Sequence, residues 1–417
     1  MQPVAAVTNP DRTRLRVRPI DSFPLCADPD MDREAQGEVR AIVREIVEAN
    51  APYAPVGLIL TGSFARGEGV IVRTASDRLR WLSDVEFLLV VLDRVKAIRG
   101  EIAAHLRRLC EVLSRESDRL NRSIRVDISH VFVDRLGAMS ASIFAQELCA
   151  HGKLVWGDPG RVRMPRLAAG ADLRRDALRL LNNRLVEHTY QRALEKTGLH
   201  DPLLCTYSQS KMRIELATSL SVFLGCYRSS YAERATAILP AIHKSATRLP
   251  PDLAAFVAEG LERAMTTRSR GLEVAVDHER EFADAALIAE QAWWWETGEL
   301  LRVDANAAGD WRAIPARLRA IESAQEGVVA LARSLKRNTL ANAFRSLAGL
   351  LRYGSPATAI YSAGCILAFR WGAIEPLCSG RVASYLCRLL NFVPDANADI
   401  RSQLAQRVYQ LWYVNLR

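Results

Sequence analysis

From about residue 165 to residue 417 the sequence keeps apolar residues at helical spacing almost without a break, and every strand-like run lies before that point. Strand signals segregated in this way from helical ones read as an α+β chain: a small sheet domain first, helical structure after it. The helical stretch is punctuated by TGLHDP, RLPPD, TGEL, RYGSP and NFVPDAN, and no fixed-period repeat is evident, which argues against a solenoid. At 417 residues the chain is long enough for two or three domains. The expected organisation is an irregular leader over 1–33, a mixed sheet flanked by helices over 34–165, and one or two all-α domains over 166–417.

Within the first part, EAQGEVRAIVREIVEAN (34–50) places Val39, Ile42, Val43, Ile46 and Val47 at helical spacing, and Pro52 and Pro55 end that helix. VGLIL then reads as a strand entering a Gly62-Ser63 turn, and VEFLLVVL as a second strand, apolar enough to be buried on both faces. A helix is expected over about 95–115. SIRVDISHVFV (123–133) alternates, with Ile124, Val126 and Ile128 on one face and Arg125, Asp127 and Ser129 on the other. A short helix over about 140–150 and a turn-rich exit, HGKLVWGDPG, complete the domain.

Two acids stand at the mouth of the most apolar of these strands. The period of two puts Asp84 and Glu86 on one face, a few ångströms apart. Like charges at that range repel, and one would take up a proton unless a cation holds them. Carboxylate oxygens so arranged suit Mg2+, which binds one or two carboxylates and keeps waters and substrate phosphates. Asp127 becomes a third ligand if its strand neighbours that of Asp84. Upstream, Gly62 lets the backbone approach a phosphate, Ser63 adds an N–H and a hydroxyl, and a strand-to-helix turn aims amides at an anion. A Gly-Ser turn is ordinarily only a turn, and a D-x-E at a strand start is ordinarily a solvated edge. Their occurrence in order, each at a strand or strand end, is what points to nucleoside triphosphate chemistry.

LTGSFARGEG, SDVEFLLVV and RVDIS together resemble the signature of the DNA polymerase β-type nucleotidyltransferases, over about residues 35–160. The resemblance implies a nucleotidyltransferase-fold mixed sheet, with Gly62 and Ser63 holding the triphosphate. It also implies two Mg2+ ions on Asp84 and Glu86, with Asp127 binding one metal and helping to deprotonate an attacking hydroxyl. The segment between Ser63 and Asp84 is longer than the family's usual connection and carries Arg66, Arg73, Arg78 and Arg80. It is read either as a lid gripping phosphates, with Arg66 on the NTP, or as an insertion that disables the site. CTYSQSKMRIELATSLSVFLG is similar to the helix that presents a lysine to the triphosphate in small-molecule nucleotidyltransferases, which makes Lys211 an NTP-binding candidate.

The implied activity is transfer of an NMP from an NTP, with ATP expected, to a hydroxyl of a small-molecule or protein acceptor that the sequence does not identify. The alternatives are a catalytically silent nucleotide-binding or regulatory protein of the same fold, and an RNA-binding scaffold. The excess of 56 Lys+Arg over 47 Asp+Glu, a formal charge of +9, suits an anionic partner. Nucleic acid is not favoured, because no recognised RNA-binding module follows the sheet domain.

AWWWETGEL is read as helix packing ahead of a base-stacking wall. The spacing from Arg184 to His188 is too short for the Arg/His ribonuclease motif that HEPN domains carry. The 8 cysteines show no metal-ligand spacing and most lie in apolar stretches, as reduced thiols of the cytoplasm do. The N-terminus lacks a signal peptide's apolar core, and the longest low-charge run, 355–369, is shorter than the ~20 residues of a membrane span. A cytoplasmic protein with no membrane partner is expected.

Overall fold

The structure, a computed structural model, describes residues 18–415 apart from 75, 93, 95–99, 120–123, 169, 200, 246–248, 271–276, 304–309, 323–354, 375–380, 391 and 396–397. The leader over 1–17 and the expected helix start at 95–99 lie outside the described residues. The chain divides into two compact units, one of residues 1–173 with Arg228–Glu233 and 268–271, the other of the remainder.

The first unit is built on a four-stranded sheet. In chain order its elements are α1 (Pro29–Asn50), β1 (Pro55–Thr61), a single helical turn α2 (Gly62–Ala65), β2 (Ile71–Arg73), β3 (Leu79–Trp81), β4 (Val85–Val91), α3 (Glu101–Arg119), β5 (Val126–Phe132), α4 (Val133–Gly137), α5 (Ile143–His151) and β6 (Lys153–Gly157). The order across the sheet is β5-β4-β1-β6. β1 runs antiparallel to both β4 and β6, while β4 and β5 are parallel, with α3 in the crossover that a parallel pair requires.

The apolar run of β4 is central because it has partners on both edges and helices on both faces. Phe87, Leu89 and Val91 pack with Leu58, Leu60, Val126 and Ile128 against α1 and α3. Leu88 and Val90 pack with Ile59 against Leu136 of α4, Leu148 of α5 and Leu154 of β6. Glu86 continues the row of Leu88 and Val90, so it belongs to the α5 side of the sheet.

Several boundaries differ from the sequence reading. α1 begins at Pro29, where the Asp28 carboxylate accepts the Asp30 and Met31 N–H groups at 2.9 Å and Pro29 needs no donor. Residues before it are not a free leader, since Ile20, Phe23, Leu25 and Cys26 are buried in the α1-side core. HGKLVWGDPG contains β6 in place of an irregular exit. Its short, half-buried alternation, between a helix end and a turn, is too weak a signal to show in the sequence. The segment after Ser63 folds as a β2–β3 hairpin, with Ile71 opposite Trp81 and Arg73 opposite Leu79. Its apolar residues join the α1-side core, the Trp81 indole donates to Glu38 at 3.1 Å, and Arg73 pairs with Glu34 and Asp77.

The second unit is helical throughout its described residues: α6 (Arg174–Lys196), α7 (Pro202–Phe223), α8 (Tyr231–Lys244, whose first turn is counted with the sheet), α9 (Pro251–Arg270), α10 (His278–Leu301), α11 (Ile314–Ile321), α12 (Pro356–Arg370), α13 (Arg381–Leu389) and α14 (Ile400–Asn415). α6 is buried nearly all round, so its polar residues must find partners inside. Asn182 accepts from the Trp293 indole at 3.0 Å, and Asn183 accepts from Tyr361 at 2.7 Å and Trp412 at 2.8 Å. His188 bonds the Phe282 carbonyl at 3.1 Å and is buried, so it is a packing histidine. Trp293, Trp294 and Trp295 are buried in α10, which makes them core and leaves no stacking wall.

Glu296, beside them, is fully buried. Ser219 donates to its Oε2 at 2.8 Å, and its Oε1 has no hydrogen-bond partner. Burial, acting against the Ser219 hydrogen bond, pushes this carboxyl up to about 8. No helix among the described residues is long and apolar enough to cross a membrane.

Candidate functional site

β1 ends at Thr61 in extended backbone, and Gly62 then turns the chain with φ of +65° into a single helical turn. Phe64 anchors that turn, being fully buried with its ring 5.1 Å from Trp81. Ser63 stays half-buried at the surface side of the turn. Glycine is required at 62 on two counts. The left-handed conformation disfavours a side chain, and a Cβ there would lie 2.2 Å from Glu86 Oε2. The backbone of the turn and the Glu86 carboxylate are therefore in direct apposition.

The strand pairing explains why these groups meet. Thr61 is the register partner of Glu86 on β4, and Glu86 is in turn the partner of Asp127 on β5. Partners in register share a face, so the Gly62 turn, Glu86 and Asp127 lie side by side across three strands at one end of the sheet. The expectation that the Asp127 strand neighbours the other acids holds.

Asp84 immediately precedes β4, half-buried. The approach to it is fixed from two sides. Leu82 and Ser83 donate to the Val70 carbonyl at 3.0 and 3.2 Å, and Val85 donates to the Arg125 carbonyl at 2.8 Å. Ser83 Oγ also accepts the Val70 N–H at 3.0 Å. The hairpin insertion thus fixes the backbone that leads into the first acid, and all three acids remain in the chain.

Arg66 is not placed as a lid residue would be. Its side chain is only 3% exposed; Nε donates to Glu68 at 2.7 Å and Nη1 to Glu147 of α5 at 2.6 Å. Its guanidinium carbon lies 4.5 Å from the centroid of the Tyr231 ring. With two carboxylates on one guanidinium, this group carries net negative charge, so the phosphate-gripping role expected of Arg66 does not fit its surroundings. Lys211 lies in the helical unit on α7, with Nζ 5.9 Å from the Tyr207 ring centroid.

A small cavity of about 30 Å3 adjoins Glu86, walled also by Gly62, Arg66, Glu147 and His151, and neither Asp84 nor Asp127 lines it. That volume suits a water or a bare ion and excludes a nucleoside. Burial, and next the Arg66 guanidinium, hold His151 below the ordinary imidazole value, and its Nε2 lies 2.9 Å from Ser229 Oγ. Sequence reasoning missed Glu68, Glu147, His151 and Tyr231. Glu147 and His151 carried one faint signal, an i,i+4 ionisable pair on a mostly apolar helix.

Among the described residues, no three His, Cys, Asp or Glu side chains are grouped closely enough to enclose a metal ion. The donor set still matches the chemistry of Mg2+ carried by a nucleotide, which takes one or two protein carboxylates and draws its other oxygens from phosphate and water. The absence of a side chain at Gly62 makes room for the Glu86 carboxylate against the backbone of the turn. No protein-family model, no curated protein and no solved structure matches this chain.

Proposed function

We propose that this chain is a Mg2+-dependent nucleotidyltransferase, moving an NMP from an NTP to a hydroxyl of a small-molecule or protein acceptor. The observation that carries the reading is the apposition of the Gly62 turn to Glu86 with Asp127 in register beside it, at one end of a mixed sheet. Carboxylates gathered from two neighbouring strands beside a strand-to-helix turn are the kind of oxygen donors that Mg2+ takes. Asp84, Glu86 and Asp127 are the residues that would hold Mg2+, and bound Mg2+ neutralises charge on the phosphates and on the leaving pyrophosphate.

The remaining roles fall to the chain itself. Gly62 lets the Glu86 carboxylate sit against the turn, and Ser63 offers a backbone N–H and a hydroxyl for the triphosphate at the same turn. Asp127, the more exposed of the two register partners, is placed to accept the proton of an acceptor hydroxyl arriving from solvent. Lys211 stays a candidate for the phosphates as a point charge.

The test is direct. Purified protein is incubated with each NTP, labelled, with Mg2+ and a cell extract, and both the labelled product and released pyrophosphate are measured. Asp84→Ala should abolish Mg2+-dependent pyrophosphate release and leave the far-UV circular dichroism unchanged. Full turnover by Asp84→Ala would refute the assignment. Nucleotide binding by the wild-type chain with no pyrophosphate release would favour the alternative, a nucleotide-binding or regulatory protein without turnover.

A further inference from the structure

The segment Arg228–Glu233 belongs to the sheet unit although the chain before and after it is helical-unit sequence. Four interactions hold it there. Arg66 stacks on the Tyr231 ring at 4.5 Å. Glu68 Oε1 accepts the backbone N–H groups of Tyr231 at 2.7 Å and Ala232 at 3.4 Å. Ser229 Oγ meets His151 at 2.9 Å. Tyr231 itself is buried. The Glu68 carboxylate and the Ser230 hydroxyl, which accepts the Glu233 N–H at 3.2 Å, together cap the start of α8.

We propose that Arg66 is a positioning residue that locks the Gly62–Ala65 turn, with Glu147 of α5 as one half of the lock and Tyr231 as the other. Arg66 follows the turn directly, and its side chain ties the turn to α5 and to the α8 start. The buried Phe64 ring already fastens the turn to the α1-side core. Its hydrogen bonds run from Arg66 and Glu68 N–H to the Ser63 carbonyl and from Gly67 N–H to Phe64, all local. Local bonds alone do not hold a one-turn helix, since propagation cannot offset its nucleation cost. A guanidinium held by two carboxylates and an aromatic face, at 3% exposure, supplies a second long-range constraint beside Phe64. Half of that lock comes from a residue 163 positions beyond Glu68, so seating of the α8 start stiffens the turn.

The consequence for nucleotide rests on the function proposed above. If the turn receives the triphosphate, unlocking it raises KM for the NTP by a larger factor than it lowers kcat. The ordering of the turn does not depend on that reading and is measured separately.

The experiment uses the full chain with Arg66→Lys, Glu147→Gln, Tyr231→Ala and Tyr231→Phe. Arg66→Lys keeps the charge but loses the fork and much of the stacking, while Tyr231→Phe keeps the ring. Amide hydrogen exchange without nucleotide should quicken about tenfold or more across 62–68 in the first three variants, the scale of one lost charge-assisted bond. It should quicken less in Tyr231→Phe than in Tyr231→Ala, and stay near wild type across β4 in all four. Unchanged exchange of the turn in both Arg66→Lys and Tyr231→Ala overturns the proposal. A quickened turn with unmoved KM for the NTP, in an active enzyme, overturns its link to nucleotide. A wild-type chain that releases no pyrophosphate sinks the proposed function instead, and the exchange result alone then decides the lock.

Discussion

Replacing Gly62 by alanine separates two costs that the structure places at one atom. The first is conformational: φ at 62 is +65°, and holding a side chain in the left-handed region costs about 1–2 kcal/mol. The second is steric. The new Cβ would sit 2.2 Å from Glu86 Oε2 and 2.9 Å from its Cδ, well inside contact distance. The obstacle is the far end of a flexible side chain, so Glu86 would swing aside, at about 0.5–1.5 kcal/mol for a strained rotamer. Gly62→Ala should then destabilise the sheet unit by roughly 1.5–3.5 kcal/mol, the sum of the two.

Glu86→Ala removes the obstacle, so in that background Gly62→Ala should cost only the conformational part, about 1–2 kcal/mol. The difference between the two backgrounds is the coupling that a double-mutant cycle isolates. Urea titration followed by hydrogen exchange at β1 and β4 peptides reads the sheet unit apart from the helical one. Equal costs in both backgrounds would refute the apposition of turn and carboxylate. A Gly62→Ala protein as stable as wild type would refute the left-handed turn itself.

Two further outcomes are expected. Glu296 is pushed up to about 8 in the folded chain, against about 4.5 when unfolded, so between those pH values the unfolded state binds fewer protons and stability falls as pH rises. Glu296→Gln cannot titrate, and its advantage over wild type should grow from near zero at pH 4 toward about 5 kcal/mol by pH 8, from the size of the shift; a difference independent of pH in urea titrations would show that the carboxyl is not buried as described. Lys211→Glu should raise the NTP dissociation constant tenfold or more, about the worth of a charged hydrogen bond, and more than Lys211→Ala does. Equal nucleotide affinity for Lys211→Glu and wild type, by titration calorimetry, removes Lys211 from the site.

Sequence periodicity by itself determined the parts of this protein that depend on neighbours along the chain. The largely apolar β4 had to be a buried strand, and the 3.6-period stretch after about residue 165 had to be helical, as its described residues are. The type of turn after β1 was legible too, since a glycine at a strand end permits what no other residue does. Tertiary structure alone decided which strands became neighbours. Asp127 is beside Glu86 because β5 docks parallel to β4 in a register that no local pattern encodes. It also turned Arg66, which reads in sequence as a phosphate ligand, into the centre of an ion-pair knot with Glu68, Glu147 and Tyr231. The physical reason is the same in each case. Backbone preference and hydrophobic period act over a few residues, whereas a buried charge is satisfied by whichever partners the packed chain brings within hydrogen-bond reach.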